Sequence, residues 1–211
     1  MAPPHKLVLG TQNRKKGAEL AALLVPYGFE LLTLAEFDNV VTVVEDGDSF
    51  ASNSALKAAQ HAVHLNHWVL GEDSGIVVDA LNGAPGIYSA RFAGENATDG
   101  DNNDRLLSEL GSTAWERRTA HYVCHMTVAD TEGQIRAESE AKCHGRIRTE
   151  PAGSGGFGYD PLFEVIEYHR TFGQLGDTVK SVLSHRSRAL SLLLPQLLQL
   201  QRRGDWKRKD P

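Results

Sequence analysis

Cysteine is nearly absent: the chain carries two, Cys124 and Cys143, at a spacing that matches no zinc motif and no redox pair. No disulfide framework can organise the fold on that supply, and two reduced thiols suit a cytoplasmic chain better than one bridge. Long apolar runs are missing as well. None approaches the roughly 18 residues of a membrane helix, and the opening MAPPHKLVLG is too short in apolar residues for a signal peptide. The expectation is a cytoplasmic protein with no membrane partner. Positive charge is also in deficit, with 22 Lys and Arg against 27 Asp and Glu for a net charge of −5. That removes the global basic field behind non-specific nucleic-acid binding, so any polyanion site must be local. Nine histidines are scattered, and a lone His is more often a surface or core residue than a ligand; no internal repeat or low-complexity linker breaks the chain.

What is present reads as an α/β domain. The 211 residues, 41 % hydrophobic and 23 % charged, suffice for one buried core divided into two lobes. Residues 1–200 are taken as that single domain and 201–211 as a polar, flexible tail. KLVLGTQNRKKGAELAALL reads as strand, loop and helix. SNSALKAAQHAVHL has an apolar stripe of Ala55, Ala58, Ala59, Ala62 and Val63 at helical spacing, with Asn53 and Lys57 together on its polar side. HWVLGEDSGIVVDALNG reads as two short strands around a turn, and NDRLLSELG as a helix stopped by Gly111. HYVCHMTVAD and QIRAESEAKCHGRI form a hairpin through DTEG, giving a mixed sheet. PLFEVI suggests another strand. A last helix is expected from near Ser184, kinked or shortened by Pro195.

Three stretches carry candidate chemistry. Thr11, Gln12 and Asn13 lead into Arg14, Lys15 and Lys16: a strand-to-helix turn whose N–H groups, helix dipole and cations favour an anion. Polar turn residues are equally ordinary N-cap material. Glu45, Glu72 and Asp73 form an acidic set. Neighbours in a strand point to opposite faces, so only one of Glu72 and Asp73 can face a given site. Mg²⁺ takes one or two protein carboxylates plus phosphates and water, yet Asp-Ser-Gly is also good turn chemistry. GSGGFGYDP supplies flexible glycines, Phe157 and Tyr159 as flat faces for a base, and Asp160 as an acceptor for a base N–H. Lys180, His185 and Arg186 bring donors suited to a ring carbonyl. The bland reading there is a glycine-rich loop followed by a helix cap.

In this order, TQNRKK, the Glu45 region, SNSALKA, GEDSGIVVDALNGAPGIYSARFAG, EPAGSGGFGYDPLF and KSVLSHRSRAL resemble the inosine triphosphatase, or dITP/XTP pyrophosphatase, family from about Lys6 to about Leu198. The resemblance implies an elongated mixed β-sheet with flanking helices, two lobes around a central cleft, and a homodimer. It implies Mg²⁺-dependent hydrolysis of deaminated purine nucleoside triphosphates (ITP, dITP, XTP) to monophosphate and pyrophosphate. By matching motif, Thr11, Gln12, Asn13, Arg14, Lys15, Lys16, Lys57 and Ser74 would hold the triphosphate. Glu45 and Asp73 would hold the metal, with Asp73 also the proton acceptor and Glu72 in support. Phe157, Gly158, Tyr159 and Asp160 would form the base pocket, completed by Lys180, His185 and Arg186. Gln12 stands where the family usually has Gly, and Ser52 where bacterial members commonly have Glu. A Maf-like pyrophosphatase and a non-catalytic nucleic-acid-binding module are the competing readings; the second would need a continuous basic, aromatic face.

Overall fold

A computed structural model describes residues 5–206. The strands are β1 (His5–Leu9), β2 (Phe29–Thr33), β3 (Val69–Val78), β4 (Thr119–Ala129), β5 (Ile135–Ile147), β6 (Phe163–Val165) and β7 (Arg170–Thr171). The helices are α1 (Arg14–Leu24), α2 (Phe50–Leu65), α3 (Asp99–Leu110), α4 (Phe172–Leu183) and α5 (His185–Arg203). One sheet takes the order β2-β1-β3-β4-β5-β6-β7. β1 pairs in parallel with β2 and β3, whereas β5, β6 and β7 pair antiparallel, so the sheet is mixed as expected.

The chain divides into two compact units: Met1–Asp73, Cys124–Ala141 and Arg186–Pro211 make the first, and Ser74–Val123 and Lys142–His185 the second. In the first, strand alternation decides the packing. Leu7 and Leu9 face a cluster with Leu190, Leu193 and Leu197 of α5, while Val8 faces Ala58 and Ala62 of α2. A parallel strand covered on both faces must be apolar at every position, as β1 is over Leu7–Leu9. Each leucine so buried contributes about 1.5–3 kcal/mol. In the second unit, α3 and α4 give Leu106, Leu110 and Phe172 to a core with Ile76, Val78 and Phe163.

Two local expectations are corrected. Residues 69–78 form one continuous strand rather than two around a turn. Eight of its ten residues are buried, and a turn there would strand backbone groups away from partners, which outweighs the turn preference of Asp-Ser-Gly. The final helix runs through Pro195 to Arg203 without being cut short; Leu193 and Leu197, both fully buried on either side, offset the one lost backbone hydrogen bond. Helix α4 and strand β2 were not anticipated. Ser184, extended at φ −64° and ψ 155°, separates α4 from α5. The proposed polar tail lies partly outside the described residues, at 207–211; within them Trp206 stacks on Trp68 with centroids 4.1 Å apart.

Candidate active site

In the first unit, α1 begins where β1 ends, and its polar turn provides its own caps. Asn13 Oδ1 accepts from the N–H groups of Lys15 and Lys16 at 3.0 and 3.2 Å, and Thr11 Oγ1 accepts from Asn13 N at 3.1 Å. Two donors expected to be free are therefore satisfied by a side chain, as N-cap chemistry dictates. Thr11, Gln12, Asn13 and Arg14 line a cavity of about 660 Å³. Lys15 is exposed. Lys16 reaches inward, with Nζ 2.9 Å from Glu72 Oε2.

Helix α2 brings Lys57 to the acidic set. The helix lies close against β3 at Gly71, where an added Cβ would run into the Ser54 carbonyl oxygen and stand 2.7 Å from Ala58 N. That approach lets Lys57 Nζ bind Glu45 Oε2 at 2.7 Å and Asp73 Oδ1 at 3.1 Å. Asn53, one turn earlier, donates to Asp73 Oδ2 at 3.3 Å and accepts from Gly47 N at 2.9 Å, tying the Glu45 loop to the strand. Burial pushes the Asp73 carboxyl up and Glu45 adds to this, opposed by Lys57 and Lys16. Burial lowers the Lys57 ammonium, but Asp73 and Glu45 outweigh it and the net direction is up. Lys57 therefore stays charged.

Glu72 and Asp73 are both buried, 2 % and 7 % exposed, and take different partners, as opposite faces of a strand require. Glu72 Oε1 accepts from Arg186 Nη2 at 3.0 Å and from the Cys124 thiol at 3.4 Å. Arg186, 1 % exposed, also pairs with Glu19. Burial alone would favour the neutral guanidine, yet the carboxylates of Glu72 and then Glu19 push it up. Burial and Glu72 together keep Cys124 a thiol, and hence a donor. The Arg186 guanidinium, expected at a base, is thus engaged by two carboxylates.

In the second unit, the glycine loop folds around Asp160. Gly156, at φ +74°, has no room for a Cβ beside Asp160 Oδ2. Asp160 accepts from Lys180 Nζ at 2.6 Å and Phe157 N at 2.8 Å. Lys180 Nζ also lies 4.1 Å from the Phe157 ring centroid, a cation–π contact. Gly158 is held through both of its backbone polar groups, its N–H donating to Asp99 at 2.8 Å and its carbonyl accepting from Asn103 at 3.0 Å. His185 stacks on Tyr122 at 4.6 Å with planes 8° apart. Phe157 is half-buried. Tyr159, by contrast, is 4 % exposed and donates its hydroxyl to Ser89 O at 2.8 Å; burial, then Asp99, pushes its phenol up. Its ring belongs to the core, not to an open face for a base. Ser74 opens this unit's share of β3 and is half-buried.

Sequence reasoning assigned no role to Glu19, Asp99, Asn103 or Cys124. Only Glu19 left a trace, standing three residues after Lys16 on one helix face. The others act through contacts distant in sequence.

The geometry fits a hard divalent cation in part. Among the described residues no cluster of three or more His, Cys, Asp or Glu is placed to hold a metal. Glu45 and Asp73 nevertheless share one ammonium, and two oxygen donors are the protein's usual contribution when phosphates and water fill the remaining positions.

An α/β protein with paired carboxylates, flanking lysines and a capped helix start is of the class that handles phosphorylated ligands. The Ham1 family model matches residues 7–196, and the chain belongs to that family. It is 53 % identical over 194 residues to the dITP/XTP pyrophosphatase of Rhodopirellula baltica, covering 92 % of this chain and 93 % of that one. Identity to the dITP/XTP pyrophosphatase of Desulforamulus reducens is 46 %, covering 92 % and 96 %. Among solved structures, the Staphylococcus aureus Ham1 protein superposes with a TM-score of 0.82 at 34 % identity, covering 93 % of this chain and 99 % of that chain.

Proposed function

We propose that this protein hydrolyses deaminated purine nucleoside triphosphates, ITP, dITP and XTP, to the monophosphate and pyrophosphate, with Mg²⁺ as the cation, and so clears them from the nucleotide pool. The observation that carries the reading is the Glu45–Lys57–Asp73 cluster beside Lys16, in a chain 53 % identical to a dITP/XTP pyrophosphatase. Glu45 and Asp73 would hold the cation. When bound, it neutralises charge on the phosphates and lowers the cost of building it in the transition state. Thr11 through Lys16, Lys57 and Ser74 bind and orient the phosphate chain. Hydrolysis of an anhydride needs charge neutralisation and positioning more than covalent help.

Asp73 accepts the proton of the attacking water or orients that water through its carboxylate. The buried Glu72, set by Arg186, directs Lys16. The half-buried Phe157 with the Gly158 backbone forms the base platform, shaped from beneath by Tyr159 and the Asp160–Lys180 pair. His185 and Arg186 complete base and phosphate recognition, Arg186 by way of Glu72. We place residues 1–200 in one pyrophosphatase domain, working as a homodimer in the cytoplasm, where the pool lies. Product analysis after incubation with ITP and Mg²⁺ tests the reading: IMP with pyrophosphate supports it, and IDP with phosphate identifies a different enzyme.

A further inference from the structure

Lys57 occupies a place that phosphate binding alone does not explain. Its ammonium makes short ion pairs with Glu45 Oε2 and Asp73 Oδ1, at 2.7 and 3.1 Å, and these are the carboxylates proposed to hold the cation. A group in hydrogen-bond contact with a metal's own ligands competes for the same oxygens, and a doubly charged ion set against them repels the ammonium. The lysine is not a loose surface cation that swings past by accident. Its side chain is 11 % exposed, the helix that carries it is held against β3 at Gly71, and Asn53 fixes the other Asp73 oxygen. Two carboxylates brought together without a counter-charge would repel each other, so the free protein needs a cation there. The sequence supplies one on the same helix face as Asn53.

We propose that Lys57 is an internal competitor for the divalent cation. In the free protein it holds Glu45 and Asp73 together, and it transfers to the phosphate chain when the metal takes those oxygens. Metal and nucleotide therefore bind as a coupled pair. The inference rests on the pyrophosphatase reading above. Lys57 resists the metal alone because the ion takes the two oxygens its ammonium binds, Glu45 Oε2 and Asp73 Oδ1, without supplying another acceptor. A triphosphate supplies that acceptor, and linkage makes the help reciprocal: each ligand tightens the other by the same factor.

Mn²⁺ alone is titrated by EPR into the full-length wild type, Lys57→Gln and Lys57→Arg, without nucleotide. The Gln variant should bind Mn²⁺ about tenfold tighter than the wild type, about 1.4 kcal/mol. The Arg variant, which keeps the charge, should stay within about twofold of the wild type. The same Gln variant should bind α,β-methylene-ITP at least about tenfold more weakly. Unchanged or weaker Mn²⁺ binding by folded Lys57→Gln overturns the proposal. If circular dichroism shows that variant unfolded, Lys57→Met, which keeps an aliphatic stem on the helix, carries the comparison with the same criterion. Pyrophosphate release from ITP by the wild type is scored in parallel. Release together with no tightening of Mn²⁺ removes the competitor and leaves the enzyme; no release removes the reading and the proposal with it.

Discussion

Replacing Arg186 by Met separates a buried structural cation from an exposed recognition group. The guanidinium is enclosed with Glu72, the two side chains 2 % and 1 % exposed, at 3.0 Å. Removing one partner of such a pair costs about 3–5 kcal/mol, because the other charge is left in a poorly hydrated place. Lys16 remains 2.9 Å from the second Glu72 oxygen, which puts the expected loss at the lower end, about 3 kcal/mol. For a chain of this size that corresponds to a fall of about 6–12 °C in Tm. Met fills most of the volume, so a cavity adds little. Glu72→Gln in the Arg186→Met background relieves the stranded carboxylate, so the double variant should be more stable than the sum of the two singles predicts, with a coupling of about 1–3 kcal/mol. Thermal and urea unfolding of all four proteins give both quantities. A fall below about 2 °C for Arg186→Met, with additive effects in the cycle, would refute the buried-pair account.

Two further outcomes follow from the second unit. The folded pKa of Tyr159 is raised by burial and then by Asp99, whereas an unfolded tyrosine ionises near 10. Above about pH 10 the unfolded chain loses a proton that the folded one keeps, so stability is fully present below that pH and falls as pH rises, with a limiting slope of about 1.4 kcal/mol per unit. Subtracting the Tyr159→Phe unfolding profile from the wild-type profile should isolate that slope; parallel profiles from pH 9 to 11 contradict it. Phe157→Ala removes a proposed stacking platform worth about 1–3 kcal/mol per base, so kcat/KM for ITP should drop about 5- to 150-fold, and an unchanged value takes Phe157 out of base binding.

Much of this was legible in the sequence because it is local. β1, α1, α2 and α3 follow from apolar spacing, polar caps and the stop at Gly111, all decided within one element. The 69–78 segment was misread for the opposite reason: Asp73, Ser74 and Gly75 favour a turn by themselves, and only burial between neighbouring strands makes them extended. β2 is a five-residue edge strand, too short for a periodic signal. Residue types at the site were readable from motif order, but their partners were not. Nothing local says that Arg186 pairs with Glu72 and Glu19, that Asp160 is already occupied by Lys180, or that Tyr159 turns its ring into the core. Those assignments are long-range, and the sheet and the glycine loop impose them.

Single-turnover hydrolysis of ITP with Mg²⁺, followed by both nucleotide and phosphate products in the wild type and in folded Asp73→Asn, asks whether the acidic cluster does the chemistry. The wild type should yield IMP and pyrophosphate, and the variant should slow that step on the order of 10²-fold or more. Pyrophosphate release by Asp73→Asn at a near-parental rate, or IDP from the wild type, would contradict the account.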